Sequence, residues 1–233
     1  HFNKLVLVLN TGNIMDMDFV EDYHPQALLY AWQGGMVGGY GTADVLLGKT
    51  CPSGRLTDTI AYKITDYPSD ANFGNRDRDL YEEDIYVGYR YFETLPGAQE
   101  KVIYPFGYGL TYSDTCVTEA EVVGEVSAES DIMLKATVKN NGTVDTDEVV
   151  QVYIKDLDSP LAVRNYSLCG FKRVSLKAGE EKSVEFTISN KAMNIGLAII
   201  LLIELLVFMT PLGKIISVES IKPSLVLIIF LIN

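Results

Sequence analysis

The sequence predicts a layered α/β sandwich domain, then an all-β sandwich, then an apolar tail. Three observations carry that order. Residues 5–47 alternate short apolar runs with helical patterns over short connections, the signature of a parallel α/β layer. From about Val117 to Ser189 the periodicity changes to two, with turn residues between the runs, as in a β-sandwich. After Asn194 the chain turns abruptly apolar: Ile195–Gly213 is a 19-residue run broken only by Glu204 and Thr210. The boundaries drawn from these changes are 1–115, 116–194 and 195–233.

Leu5-Val6-Leu7-Val8-Leu9 reads as the first strand, apolar throughout like a parallel strand buried on both faces. Asn10-Thr11-Gly12-Asn13 is the turn at its end, and Met15–Tyr23 reads as a helix broken by Pro25. Ala27–Trp32 is the second strand, Gly34-Gly35 turns the chain, and a helix covers Gly38–Leu47, ending at Gly48. From Pro52 to Tyr112 the pattern loosens into a segment rich in Asp, Tyr, Gly and Pro, read as a wrap around the α/β layer. It carries the charged runs Arg76-Asp77-Arg78-Asp79 and Glu82-Glu83-Asp84, the latter beside an expected strand, Ile85–Phe92. The sandwich strands are Ile132–Val138, Val149–Ile154, Leu168–Val174 and Lys182–Ile188, with turns at Asn140-Asn141-Gly142 and Lys177–Glu181.

The apolar tail has two readings. Ile195–Gly213 is long enough to span a bilayer. Glu204 near its centre costs roughly 2–3 kcal/mol on insertion scales, which the many Leu and Ile offset. Lys214 and Lys222 then mark the following side as cytoplasmic. The second run, Leu225–Ile232, is too short to span. Alternatively, the tail is an out-of-frame translation of A-T-rich DNA, which yields Ile-, Leu- and Phe-rich sequence. The chain also begins directly on its first strand without an initiator Met, so further residues are expected upstream. That start lacks the basic flank and cleavage site of a signal peptide.

Composition narrows the partners. A net charge of −12 argues against nucleic acid and against an anionic membrane surface. The 14 tyrosines suit a neutral polar ligand such as a sugar, although acidity alone also serves solubility. Cys51, Cys116 and Cys169 are odd in number and far apart, with neither metal spacing nor a disulfide framework, so a reducing compartment is expected. The sequons Asn141-Gly142-Thr143 and Asn165-Tyr166-Ser167 are short matches of a kind common by chance.

Three blocks resemble a known family. They are Gly34–Lys49 followed by Pro52-Ser53-Gly54-Arg55-Leu56, then Tyr86-Val87-Gly88-Tyr89-Arg90-Tyr91, then Tyr104-Pro105-Phe106-Gly107-Tyr108-Gly109-Leu110-Thr111-Tyr112. In this order they resemble the C-terminal half of family 3 glycoside hydrolases of the β-glucosidase type, except that Cys51 stands where the family usually has Asn. Gly170-Phe171-Lys172-Arg173-Val174 and Ala178-Gly179-Glu180 resemble the fibronectin type III-like domain that follows in many members. The likeness covers residues 5–194. Asp84–Phe92 together with Ala31-Trp32-Gln33-Gly34-Gly35 is most similar to members with swapped domain order, in which the barrel comes last.

The resemblance implies a carbohydrate substrate, no cofactor and no metal. It implies retaining hydrolysis of terminal β-linked glucose, or a related sugar, from oligosaccharides or glycosides. It also implies that no catalytic residue lies in this chain. The family's nucleophilic Asp belongs to the missing barrel, and its acid/base Glu lies upstream of the first strand. The fragment is therefore expected to be inactive alone. The parent is expected in the cytoplasm, or at a membrane if 195–213 is a genuine span; a membrane-anchored carbohydrate-interaction module that cleaves nothing is the alternative.

Residue by residue, the chemistry is sparse. Gly34–Gly39 is neither a P-loop nor a dinucleotide fingerprint, so its glycines read as a sharp turn and a close helix–strand approach. Glu82, Glu83 and Asp84 are the candidates for a nucleophile and acid/base pair, against the reading of a solvated charge run. His1 and His24 have no Cys or Ser partner at a suggestive spacing, and Ser53 sits in no nucleophile elbow. Trp32, Tyr81, Tyr86, Tyr89, Tyr91, Tyr104, Phe106, Tyr108 and Tyr112 either stack on sugar rings or pack the core and domain contacts, with packing favoured. Arg90 is expected to hold the wrap by pairing with a carboxylate.

Overall fold

Strands β1 (Val6–Leu9) and β2 (Ala27–Tyr30) run parallel, in register from Val6↔Ala27 to Leu9↔Tyr30. They belong to a computed structural model that describes residues 2–78, 80–124, 126, 130–156, 166–190, 213–217 and 225–232. The chain divides into two compact units, 1–50 with 56–107, and 51–55 with 108–233. Parallel neighbours need a crossover connection, and helix α1 (Phe19–Tyr23) lies within it. That helix is shorter than the expected Met15–Tyr23. Met17 N–H bonds the Tyr62 carbonyl and the Asp16 carboxylate accepts Ile64 N–H, so the residues before Phe19 are tied to a neighbouring segment instead of a helical turn. His24, at φ 44°, ends α1 in the left-handed region.

Helix α2 (Gly38–Leu46) follows β2 and buries none of its residues. Strands β3 (Ile60–Ala61) and β4 (Val102–Tyr104) pair antiparallel. Leu9, Met17 and Ile60 form a small core with Leu28, Leu56 and Tyr104 packed on it. A second cluster gathers Ala61, Phe92 and Ala98, with Tyr67 and Tyr91 against it.

Two sequence expectations fail here. The first strand is not buried on both faces: Val6 is 50% and Val8 38% exposed, because β2 is its one partner among the described residues and only Leu9 reaches the core. The expected strand Ile85–Phe92 is instead a turn leading into helix α3 (Tyr89–Thr94). Tyr, Val and Phe have β propensity, but Gly88 at φ 61° redirects the chain, and the helical turn places Phe92 in the Ala61–Ala98 cluster at 1% exposure.

The second unit is a pair of antiparallel sheets. One is ordered β5 (Thr115–Val123), β6 (Ile132–Asn140), β9 (Glu181–Ile188). The other is ordered β10 (Gly213–Ser217), β11 (Leu225–Ile232), β7 (Thr146–Asp156), β8 (Tyr166–Leu176). Alternate residues of β6, β7 and β9 make the core: Ile132, Leu134, Ala136, Val138, Val150, Val152, Val184, Phe186 and Ile188. This period-two burial is what the sequence alternation predicts. Strand β5, which carries Thr and Glu on its outer face, was missed from sequence.

The apolar tail is corrected in part. Its described portions, Gly213–Ser217 and Leu225–Ile232, are strands of the second sheet. The stretch before Gly213, on which the membrane-span reading rests, lies outside the described residues. Among the described residues no helix is long and apolar enough to cross a membrane.

Candidate functional site

In open parallel sheets, ligands bind beyond the carboxyl ends of the strands. At that edge of the β1–β2 pair, the loops 10–13 and 31–35 meet. A Cβ on Gly12 would stand 2.5 Å from Gln33 Nε2, so the loops are in contact and a larger residue at position 12 must push the Gln33 side chain aside. The Tyr30 hydroxyl donates to the Asn13 carbonyl at 2.6 Å, and the Ala31 N–H donates to the Leu9 carbonyl at 2.8 Å. Trp32 takes φ 52°, a strained conformation for a bulky residue, and its ring lies 4.4 Å from that of Tyr30. Asn10, Asn13 and Gln33 are exposed beside it. The edge thus offers neutral amides and an indole face, groups that bind hydroxyl-rich, uncharged molecules. Sequence reasoning singled out Trp32 but not Asn10, Asn13 and Gln33; their position directly after an apolar strand was the available signal.

Asp58, Tyr30 and Tyr67 influence one another electrostatically. Burial pushes the Asp58 carboxyl up, opposed by a hydrogen bond from the Thr57 hydroxyl. Burial, and then the Asp58 charge, pushes up the Tyr30 phenol. Tyr67 is raised by burial too; its hydroxyl donates to the Thr59 carbonyl at 2.8 Å and accepts the Ala61 N–H at 2.9 Å.

The glycine block divides by role. A Cβ on Gly34 would come within 2.8 Å of the Gly38 Cα, and Gly35 turns at φ 62°, so these two do make the close approach and the turn. Gly38, Gly39 and Gly41 face open space. The flanking Met36, Val37, Tyr40 and Leu47 are all at least 68% exposed.

The carboxylate run forms a surface turn. Glu82 and Asp84 are exposed, Glu82 accepts from Asn72 Nδ2 at 2.7 Å, and Asp84 has φ 47°. Among the aromatics, Tyr89 stacks on Phe106 at 4.5 Å, Tyr91 packs edge-on to Phe92 at 5.1 Å, and Tyr104 packs on the Leu9 core. Tyr81 is 91% and Tyr112 54% exposed. Tyr86 and Tyr108 are half-buried. Arg90 departs from expectation: it lies over the Tyr89 ring at 5.9 Å, and its Nε is buried without a hydrogen bond among the described residues. Within helix α3 the guanidinium lies against the Tyr89 ring. His24 caps α1, His1 lies outside the described residues, and the Ser53 hydroxyl accepts from Arg173 at 3.1 Å.

The most organised polar cluster centres on Glu148, whose side chain is 0% exposed. Arg55, 5% exposed, grips both its oxygens, Nη2 to Oε1 at 2.6 Å and to Oε2 at 2.7 Å, while Nε reaches Oε1 at 3.2 Å. The Val149 N–H donates to Oε1 at 2.8 Å, the Thr115 hydroxyl bonds Oε2, and Arg55 Nη1 donates to the Gly109 carbonyl. Both carboxylate oxygens and all three guanidinium nitrogens are engaged, the condition under which a buried pair is tolerated.

Residues 1–112 match the glycosyl hydrolase family 3 C-terminal domain, and residues 148–195 match a fibronectin type III-like domain. A beta-glucosidase of Ruminococcus albus is 50% identical over 183 residues, which cover 78% of this chain and 19% of that protein. Beta-glucosidase A of Butyrivibrio fibrisolvens is 40% identical over 199 residues, covering 79% of this chain and 24% of that protein. The solved beta-glucosidase of Paenibacillus barengoltzii matches at TM-score 0.74 and 38% identity, over 83% of this chain and 21% of that one. That of Kluyveromyces marxianus in complex with glucose matches at TM-score 0.70 and 37% identity, over 79% and 21%. The chain thus spans about a fifth to a quarter of these relatives. It belongs to the family 3 glycosyl hydrolases, of which it carries the C-terminal domain and the fibronectin type III-like domain.

Proposed function

We propose that this chain is the non-catalytic part of a β-glucosidase that releases terminal β-linked glucose, or a related sugar, with retention. The observation that carries the reading is the 50% identity to a beta-glucosidase across both domains. The chemistry of the loop edge supports it: Trp32, Asn10, Asn13 and Gln33 provide a stacking face and neutral hydrogen-bonding groups, and form one wall of the sugar site. The nucleophile and the acid/base belong to parts of the enzyme outside this chain, with the barrel following the β-sandwich in the gene. The three free thiols support a reducing, cytoplasmic setting for the parent enzyme.

Purified chain incubated with an aryl β-glucoside is expected to release no phenol above the buffer rate; turnover would refute its non-catalytic role. Proton NMR on the enzyme encoded by the whole gene is expected to show β-glucose as the first product, and α-glucose first would refute retention. Trp32 is the only tryptophan here, so its emission reads the loop edge directly. Glucose is expected to change that emission, and a flat titration would remove this edge from the sugar site.

A further inference from the structure

Two aromatic rings of the wrap segment stand almost wholly in water: Phe73 is 90% and Tyr81 91% exposed. Their backbones are nonetheless held. Phe73 ends a single turn of 3-10 helix, Asp70–Asn72, with its N–H on the Asp70 carbonyl at 3.1 Å. The Asn75 N–H donates to the Asn72 carbonyl at 3.2 Å, and the Asn75 side-chain oxygen accepts the Asp77 N–H at 3.0 Å. On the far side, the Asp84 N–H closes a turn on the Tyr81 carbonyl at 3.3 Å. The Asn72 amide donates to Glu82 Oε1 at 2.7 Å and ties the two sides together. Phe73 and Tyr81 therefore each stand one position inside the mouth of a clamped loop.

A lone exposed apolar residue is ordinary, whereas two rings at the mouth of one held loop mark a surface that meets a partner. The polar groups say which chemistry. Arg76, Asp77 and Arg78 are all exposed. The run Arg76-Asp77-Arg78-Asp79 sets two cations against two anions, in a chain whose net charge is −12. A balanced run draws neither a polyanion nor a polycation, and the overall charge repels phosphate. An uncharged molecule rich in hydroxyls fits. The C–H face of a β-linked glucose ring stacks on an aromatic ring, and neighbouring hydroxyls pair with planar guanidinium and carboxylate forks.

We propose that Phe73 and Tyr81, with Arg76, Asp77 and Arg78, form a second carbohydrate-contact surface that takes an uncharged β-linked oligosaccharide. The ligand class rests on the β-glucosidase reading; the surface itself uses none of the loop-edge residues Asn10, Asn13, Trp32 and Gln33. Two rings favour a chain over a single sugar, because successive sugar units offer a stacking face to each ring and the second contact is then intramolecular. The surface holds the oligosaccharide and takes no part in bond cleavage.

The test is a titration of the unmodified chain with cellopentaose, following backbone amide shifts by NMR and Trp32 emission in the same samples. The amides of Phe73, Gly74, Asn75, Asp77 and Tyr81 are expected to shift and saturate. Phe73→Ala and Tyr81→Ala alter side chains that lie in water, so the fold is expected to persist. Each is expected to weaken the loop response about 3- to 10-fold and to leave the Trp32 response unchanged. Flat loop amides in the unmodified chain overturn the proposal whatever Trp32 does. A Trp32 response beside flat loop amides keeps the sugar wall and removes this surface; a loop response beside flat Trp32 emission does the reverse. Loop shifts of undiminished affinity in both alanine variants also overturn it, because the rings would then not be the contact. In the enzyme encoded by the whole gene, hydroxyl-radical labelling without sugar is expected to reach Tyr81. Protection of Tyr81 before any sugar is added assigns the surface to another part of the enzyme and overturns the proposal.

Discussion

Replacing Arg55 by Ala leaves the Glu148 carboxylate buried at 0% exposure with its charge unpaired. It deletes three contacts to that carboxylate and one to the Gly109 carbonyl; the Thr115 hydroxyl and Val149 N–H remain. Breaking one side of a buried ion pair costs about 3–5 kcal/mol. A domain holds about 5–15 kcal/mol in all, so the β-sandwich loses a large part of its stability. At about 2–8 °C per kcal/mol over domains of roughly 60–250 residues, the midpoint falls by at least about 6 °C. Glu148→Gln keeps an acceptor but leaves the nearly buried Arg55 guanidinium without its countercharge, so its cost falls in the same range, about 3–5 kcal/mol. The double replacement Arg55→Met with Glu148→Met removes both charges and is expected to recover most of the Arg55→Ala loss, because an apolar pair of similar volume is often neutral. The assay is urea unfolding followed by far-ultraviolet circular dichroism and closed as a double-mutant cycle. An Arg55→Ala loss below about 1 kcal/mol, the range of exposed pairs, would refute the reasoning, because the pair would then behave as solvated.

Glycine substitutions in one short block are expected to have opposite signs. Gly34→Ala sets a Cβ 2.8 Å from the Gly38 Cα and costs about 1–3 kcal/mol, whereas Gly39→Ala meets open space and gains up to about 1 kcal/mol of helix propensity, both read by thermal unfolding. Burial raises the Cys169 thiol to about 11, and its Sγ contacts the Val152 carbonyl at 3.3 Å. At pH 8 only about 0.1% is thiolate, against roughly a quarter for an ordinary thiol, so Cys169 is expected to react with a disulfide reagent last of the three cysteines. The Ser175 hydroxyl, then Arg173 at 2.5 Å, lower the Asp147 carboxyl. A depressed carboxylate contributes stability above its unfolded pKa of about 3.9 and loses it as pH falls through the folded value. Asp147→Asn is therefore expected to lower stability at pH 7, by at most about 1 kcal/mol for a pair this exposed, and to match the native chain once the pH has fallen below the folded value.

The β-sandwich was legible because β6 and β9 bury alternate residues, so period two survives in their sequence, whereas β7 buries Val150–Tyr153 in succession. The first unit was legible only where packing agrees with propensity. Gly38–Leu46 formed as expected, and β1 and β2 formed where apolar runs stand. The Tyr89–Thr94 helix was hidden, since Tyr-Arg-Tyr-Phe favours strand locally and only the burial of Phe92 beside Ala61 and Ala98 decides for helix. The candidate site was half legible. Trp32 stands out as a lone indole, whereas Asn10, Asn13 and Gln33 are ordinary turn residues until the parallel pairing of β1 and β2 brings their loops to one edge.

The Arg55–Glu148 pair was invisible for a different reason, which also bears on where the domains divide. Its partners lie 93 positions apart, and nothing in Pro-Ser-Gly-Arg-Leu distinguishes a buried arginine from an exposed one. Residues 51–55 nevertheless group with 108–233 and not with their sequence neighbours. A composition shift can mark where a pattern changes along the chain, but not where the chain leaves one unit for five residues and returns. Glu148 makes that excursion obligatory. Fully buried within a sheet, it needs a cation; among the described residues its ion-pair partner is Arg55, and the bidentate geometry demands a guanidinium and not a lysine. A sandwich cut at residue 108 would keep the anion and lose the cation, so its fold is written in two separate stretches of the sequence.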